Sequence, residues 1–311
     1  MAPFFNIPLY PLQPGFISVH IKVARKAGYG NSCMHRETVY TSASNPKIKY
    51  IRNLLQKKYR EETGCFLMEG EKMVSEAFRS DWNIEMVVFS SECRFSESLE
   101  NMAKNIGVPC IYVDDRVFKT LSDTKTPQGV LAVLKKKEWD RKQLIDQTKG
   151  FLAVLDGISD PGNLGTIIRT VEGVGGGLKG PEGNSKGVVL INGGVELYNP
   201  KVVRATMGSL LRVPVIREED AEEFLNEIAD KGWHIAVSDL SGEDLFSWQG
   251  GYKKTALVIG SESHGVSGQV REKACSLIKI PMEGSLESLN ASVAAGIMIY
   301  EIFRKEIEKE G

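Results

Sequence analysis

The sequence predicts an α/β protein in which a small α/β unit precedes a larger one built on a parallel sheet. Three observations carry this. Short runs rich in Val, Ile and Leu alternate with segments of helical period from residue 44 to the C-terminal end. In the C-terminal half those runs lack a polar face, which marks strands covered by helices on both sides. Charge is also unevenly spread: residues 1–60 hold ten Lys/Arg against one acid, whereas the remainder holds 29 basic and 39 acidic residues, although the net charge is only −1. A basic end of this kind suits a polyanionic partner.

Residues 1–43 lack sustained periodicity, and Pro3, Pro8, Pro11 and Pro14 forbid a long helix at the start. A poorly ordered tail is expected there. No basic flank precedes an apolar stretch, so a secretory signal is not indicated. The acid-poor composition admits a transit-peptide reading, against which the prolines and the lone Arg25 weigh; another reading takes Met34 as the natural start. From Asn45, a helix cap with Pro46 at the first helical position, a helix is expected to Arg60. Strands over 66–70, 86–90, 110–113 and 129–134, with helices near 71–80, 95–105 and 114–122, complete a first domain over residues 44–137. The charged segment 138–150 reads as a linker or connecting helix. The second domain, 151–311, has strands over 151–156, 187–192, 233–239, 255–262 and 276–281, with helices near 164–173, 200–210, 219–230, 268–274 and 288–307.

Several classes are excluded. The chain of 311 residues is 42% hydrophobic and 25% charged, as a globular protein with a real core is, and no apolar run is long enough to span a bilayer. Its five cysteines, Cys33, Cys65, Cys93, Cys110 and Cys275, are scattered and form no CxxC pair, so neither a metal site nor a disulfide framework is indicated and a reducing cytoplasm is the expected setting. Gly175, Gly177 and Gly180 have the spacing of a dinucleotide fingerprint, but they follow a helix rather than a strand, and a flexible surface loop over 173–187 is expected instead.

Ligands of parallel sheets sit beyond the carboxyl ends of the strands, and three such loops stand out. In "LDGISDPGNLGTIIRTVEG", Asp160, Pro161 and Gly162 read as a turn, Asn163 as the cap of the next helix, and Arg169 as a planar charged donor suited to phosphate. In "LVIGSESHGVSG", Gly260 and Gly265 allow close backbone approach beside Glu262 and His264; the histidine reads as general base, ligand contact or bystander. In "IPMEGSLESLNASVAAGIMIYE", Ser288 and Asn290 read as caps of a helix without a charged residue from Leu289 to Tyr300. A helix apolar all round is buried on every side, and a second subunit would cover the side that its own sheet does not.

Together "NLGTIIR", "LVIGSESHG" and "IKIPMEGSLESLNASVAAGIMIYE" resemble the three motifs of the SpoU (TrmH-like) class of SPOUT RNA methyltransferases, over residues 151–305. Residues 44–135 resemble the L30e-like substrate-binding domain that precedes the catalytic domain in rRNA-modifying members. The resemblance implies methyl transfer from S-adenosylmethionine to a ribose 2′-hydroxyl, with the L30e-like domain favouring large-subunit rRNA, by a SPOUT domain with a trefoil knot and a homodimer formed through it. It implies cofactor contacts at Gly260, Ile280, Met282 and Leu289, and places the family's polar motif positions on Asn163, Arg169, Glu262, Ser288 and Asn290.

A ribose hydroxyl must lose its proton during attack, with oxygen, carbon and sulfur in line. Arg169 is expected to fix the neighbouring phosphate and stabilise charge on the oxygen, with Glu262 paired to it, Asn163 orienting ribose or guanidinium, and Ser288 and Asn290 donating hydrogen bonds. No metal is needed. RNA contact is expected from Lys47, Lys49, Arg52, Lys57, Lys58 and Arg60, beside Tyr50 and Tyr59, because cations position phosphates and aromatics stack on bases. A tRNA substrate and a catalytically silent RNA-binding protein remain alternatives.

Overall fold

Regular structure begins earlier than expected. The computed structural model describes residues 39–93, 96–179, 183–285 and 288–310. Most of the segment read as a poorly ordered tail lies outside the described residues, but its end is a strand: β1 (Val39–Tyr40) pairs in parallel with β4 (Cys110–Val113).

Asn45 caps α1 (Pro46–Asn53), its side chain accepting from the Lys47 amide at 2.9 Å. The helix expected to reach Arg60 stops there instead, and α2 (Lys57–Thr63) follows a tight turn. The Arg60 Nη1 donates to the Leu54 carbonyl at 2.7 Å, which takes up an acceptor that a continuous helix would have used internally. β2 (Cys65–Glu69), β3 (Ile84–Ser90) and β5 (Val130–Lys135) complete a five-stranded mixed sheet of order β1-β4-β3-β5-β2, with helices α3 (Glu71–Phe78), α4 (Ser96–Ile106) and α5 (Asp115–Lys119) between the strands.

The segment read as a linker or connecting helix is folded and holds a short helix. Trp139 meets Trp82 edge to face at 6.4 Å between ring centroids, Asp140 caps α6 (Arg141–Ile145), and Leu144 and Ile145 are buried in the core.

The second sheet contains six parallel strands in the order β11-β9-β10-β6-β7-β8: β6 (Lys149–Asp156), β7 (Asn184–Ile191), β8 (Val215–Arg217), β9 (His234–Asp244), β10 (Lys254–Gly260) and β11 (Ser276–Lys279). The edge strand β8 was not anticipated, since three residues carry too little periodicity. The helices are α7 (Pro161–Gly173), α8 (Pro200–Ala205), α9 (Ala221–Asp230), α10 (Gly268–Arg271) and α11 (Ala291–Glu310). α8 is shorter than expected because Met207 and Gly208 turn into the left-handed region, with φ of 51° and 95°. The Gly-rich segment is partly tied down, as Gly177 and Lys186 exchange backbone hydrogen bonds.

One continuous core joins the two sheets: Phe66, Phe89 and Leu134 of the first belong to the same buried cluster as Leu257 of the second and Ile167 and Met298 of the helices α7 and α11 that cover it. The Trp82 indole donates to the Leu211 carbonyl at 3.0 Å, and Phe66 packs on Tyr198 at 4.7 Å between centroids. α11 is not buried on every side. Ala291, Ala295, Met298, Ile299 and Ile302 face the core, whereas Val293, Tyr300 and Ile307 are each about half exposed. No helix among the described residues is long and apolar enough to cross a membrane.

Candidate active site

A cleft of about 530 Å³ opens at the carboxyl ends of β9, β10 and β11. Its size suits a nucleoside-scale ligand. β10 brings in the first wall. The chain after Gly260 turns back so that Ser261 and Gly265 exchange backbone hydrogen bonds at 3.1 and 2.9 Å. A Cβ on Gly260 would stand 2.0 Å from the Gly265 carbonyl carbon, so only glycine permits this turn. Glu262, His264, Gly265 and Val266 are thereby held along the cleft.

β9 supplies the second wall in a way that periodicity hid. Its pairing with β11 jumps from Val237–Leu277 to Glu243–Ile278, so residues 238–242 leave the ladder, and Ser238, Asp239 and Leu240 line the cleft. Gly242 makes the return possible, since a Cβ there would lie 2.5 Å from the Ile278 nitrogen. Partial burial opposes ionisation of Asp239, but the Ser241 hydroxyl and the Arg271 guanidinium, 2.6 Å away, outweigh it and hold the carboxyl below the usual carboxylate range. The third wall is the segment after β11 with the start of α11: Lys279, Ile280, Met282, Ser288, Leu289, Ala291, Ala294 and Met298.

All four residues expected to meet the cofactor, Gly260, Ile280, Met282 and Leu289, line this cleft, as do Glu262 and Ser288. Asn163 is buried at its edge. Its side-chain amide donates to Glu262, so Glu262 is partnered by Asn163 and not by Arg169 as expected. Nor does Asn163 cap α7. Asp160 does, accepting from the Asn163 amide at 2.8 Å, because the turn read over 160–162 is already the cap and first helical positions. Asn290 caps α11, its Oδ1 accepting from the Ser292 and Val293 amides at 2.9 and 3.3 Å. Arg169 does not line the cleft. It stands exposed on α7, one turn before Gly173, where an added Cβ would meet the Tyr300 hydroxyl of α11 at 2.8 Å. Gly165, near the start of α7, leaves room for the close approach of Ala205 of α8.

Of the six cations expected to contact RNA, Arg60 is excluded. It is 2% exposed and ion-paired with Glu196, in the segment between β7 and α8. Lys47, Lys49, Lys57 and Lys58 are exposed and Arg52 is half-buried. The pairs Lys57–Glu61 and Lys58–Glu62, at 3.5 and 3.8 Å, are exposed and weak. Among the described residues no cluster of His, Cys, Asp or Glu suits a metal ion.

The apolar walls from Ile259, Ile280, Leu289 and Met298 suit a flat ring, and the polar groups of Ser238, Asp239 and Glu262 suit hydroxyl or ammonium donors. A sequence model of the SpoU rRNA Methylase family matches residues 150–300, and one of the MRM3-like substrate binding domain matches residues 45–132. A 23S rRNA (guanosine(2553)-2′-O)-methyltransferase, RlmP of Bacillus subtilis, is 31% identical over 261 residues, which are 84% of this chain and 97% of the relative. The chain belongs to the SpoU rRNA methylase family. A putative TrmH family tRNA/rRNA methyltransferase of B. subtilis, YacO, is 32% identical over 250 residues, covering 76% of this chain and 94% of that one. The AdoMet-bound rRNA methyltransferase from Sinorhizobium meliloti has a TM-score of 0.75 at 30% identity, covering 86% of this chain and 97% of that one. In this SpoU family member, the excursion over Ser238–Gly242 and the α11 residues Ala294 and Met298 escaped sequence reasoning; the paired glycines Gly242 and Gly260, each at a close backbone approach, were the available signal.

Proposed function

We propose that this chain transfers a methyl group from S-adenosylmethionine to a ribose 2′-hydroxyl of RNA, with large-subunit rRNA as the substrate. The observation that carries the reading is the convergence of the glycine turn at 260–265, the Ser238–Gly242 excursion and the start of α11 on one nucleoside-sized cleft. Similarity to a 23S rRNA 2′-O-methyltransferase over nearly the whole of that relative supports the substrate class. The cofactor, when bound, supplies a methyl already activated on sulfonium. The protein's own task is to hold the ribose in line and ease loss of its proton. Ile280, Met282 and Leu289 would enclose the cofactor beside Gly260. Ser288 at the rim, and the Asn290 side-chain amide that capping leaves available, would donate to the reacting groups. Asn163 would keep Glu262 turned along the wall.

Arg169 would fix the substrate phosphate from a homodimer. A second copy laid on the half-exposed stripe of Val293, Tyr300 and Ile307 would sit beside Arg169 and carry it towards a cleft that it does not reach within its own chain. The strand order β11-β9-β10, with α11 returning onto β10 and α7, is compatible with a trefoil knot around the cleft. Residues 44–137 would form the RNA-binding domain and 151–311 the catalytic one, in a cytoplasmic protein.

Mapping ribose methylation in rRNA and tRNA from cells with and without the protein tests the activity. A site lost from large-subunit rRNA is expected; an unchanged rRNA profile overturns the substrate assignment. Arg169→Ala should abolish turnover and leave S-adenosylmethionine binding intact, and normal turnover removes Arg169 from this role.

A further inference from the structure

Asp156 ends β6 between its two neighbours in the sheet, in register with Gly260 of β10 on one side and Ile191 of β7 on the other. It is 4% exposed, and no Lys, Arg or His pairs with it among the described residues. Removing a carboxylate from water without a cation is costly and needs strong compensating hydrogen bonds. Both oxygens have them. Oδ2 accepts from the Ser267 backbone amide at 2.7 Å, and Oδ1 accepts from the Asn192 side-chain amide at 2.8 Å. The same Asn192 amide reaches the Ser267 hydroxyl at 3.4 Å. Asn192 makes these contacts from a left-handed backbone, with φ of 53°, a conformation that a non-glycine residue seldom adopts.

Ser267 closes the segment that forms the glycine wall of the cleft. That segment leaves β10 at Gly260, lines the cleft through Ser261, Glu262, His264, Gly265 and Val266, and then meets Asp156. Inside the turn it is held by the Ser261–Gly265 backbone pair and by Asn163 on Glu262. Its far end is held by Asp156 and Asn192. Packing alone does not call for a buried carboxylate here, since an apolar residue at the end of β6 would bury more cheaply.

Resting on the reading of the cleft as an S-adenosylmethionine site, we infer that Asp156, with Asn192, is a positioning residue: it fixes the far end of the 261–267 wall and so presets the cleft for the cofactor. Neither side chain touches the cleft itself. A wall released at Ser267 must be ordered again on binding, which weakens affinity without altering the reacting groups.

The test uses the full chain. Asp156→Asn keeps the shape but turns an N–H donor towards one of the two donors that Asp156 serves. Asn192→Gly removes only the exposed amide and accepts the left-handed backbone. Calorimetry with S-adenosylmethionine should show Kd raised about tenfold in D156N and about threefold in N192G. Hydrogen exchange of the ligand-free protein should quicken at the Ser267 amide, and KM for the cofactor should rise while kcat holds within about twofold. RNA affinity should not change. N192G should melt only a few degrees below the wild type and stay folded at the assay temperature, since relief of the left-handed backbone offsets part of the lost hydrogen bond, so it decides the matter even if D156N folds poorly. Wild-type binding together with unchanged affinity and exchange in N192G overturns the inference alone. Absence of cofactor binding by the wild type overturns the reading of the cleft, and the inference with it.

Discussion

The two ends of the six-stranded sheet treat the same kind of residue in opposite ways. At the amino end, Gly150 of β6 lies against the Trp233 ring, where an added Cβ would stand 2.6 Å from ring carbon. That indole is buried, and its N–H donates to the Ile145 carbonyl at 3.0 Å. At the carboxyl end, Gly260 lies against backbone rather than a ring, in a turn whose other side is the cleft. One glycine admits a large side chain that seals the sheet; the other admits a backbone turn that opens it. Close approach is therefore not by itself a mark of function. What the glycine makes room for decides.

The sharpest way to break this comparison is to add one methyl group at each end. Gly260→Ala should raise Kd for S-adenosylmethionine by at least about 100-fold, since the obstacle is backbone and the turn must open. Gly150→Ala should cost about 1–3 kcal/mol of stability through overpacking and leave cofactor affinity in the folded protein unchanged. Thermal melts with calorimetry on both variants check this, and equal cofactor affinity in the two would refute the distinction.

The same contrast extends to the cations. Arg60→Ala should destabilise the protein by about 2–4 kcal/mol in denaturant titrations, because it removes a buried side chain, its hydrogen bond to the Leu54 carbonyl and the partner of the part-buried Glu196. The Lys47→Ala, Lys49→Ala double variant should melt with the wild type, yet bind RNA several-fold more weakly at low salt and with a shallower salt dependence. Loss of stability in the lysine variant, or none in the arginine variant, would reverse the assignment of these side chains.

The smallest effect concerns pH at the sealed end. Burial holds the His234 imidazole below its ordinary value, where it stacks on Tyr252 at 3.7 Å and shares a hydrogen bond with Ser276. Well above pH ~6.5 the group is neutral in folded and unfolded chains alike and carries no penalty. As pH falls through that value, the unfolded chain takes up a proton that the folded chain refuses, so stability declines until the folded group titrates too. The melting temperature should drop modestly between about pH 7.5 and pH 5.5, less so in His234→Gln, with cofactor affinity unchanged by the substitution.

Most of the strands and helices were legible in the sequence, as was the glycine turn, because these depend on residues within a turn or two of one another; Ile280 and Leu289, which line the cleft, were pointed to only by the resemblance of their motif to the SpoU class. Alternation of apolar runs marks strands, and a polar cap beside Pro46 starts a helix, whatever the rest of the chain does. Other features belong to the tertiary structure alone. Arg60 reads as one more cation in a basic segment; it is removed from solvent by Glu196, 136 residues away. Glu262 is taken by Asn163 rather than Arg169 across 99 residues. The excursion over 238–242 arises because β11 pairs with β9 on both sides of it. Short-range propensity sets what an element is. Burial, partnering and the break in a ladder are set by which distant element arrives beside it, and no local pattern records that arrival.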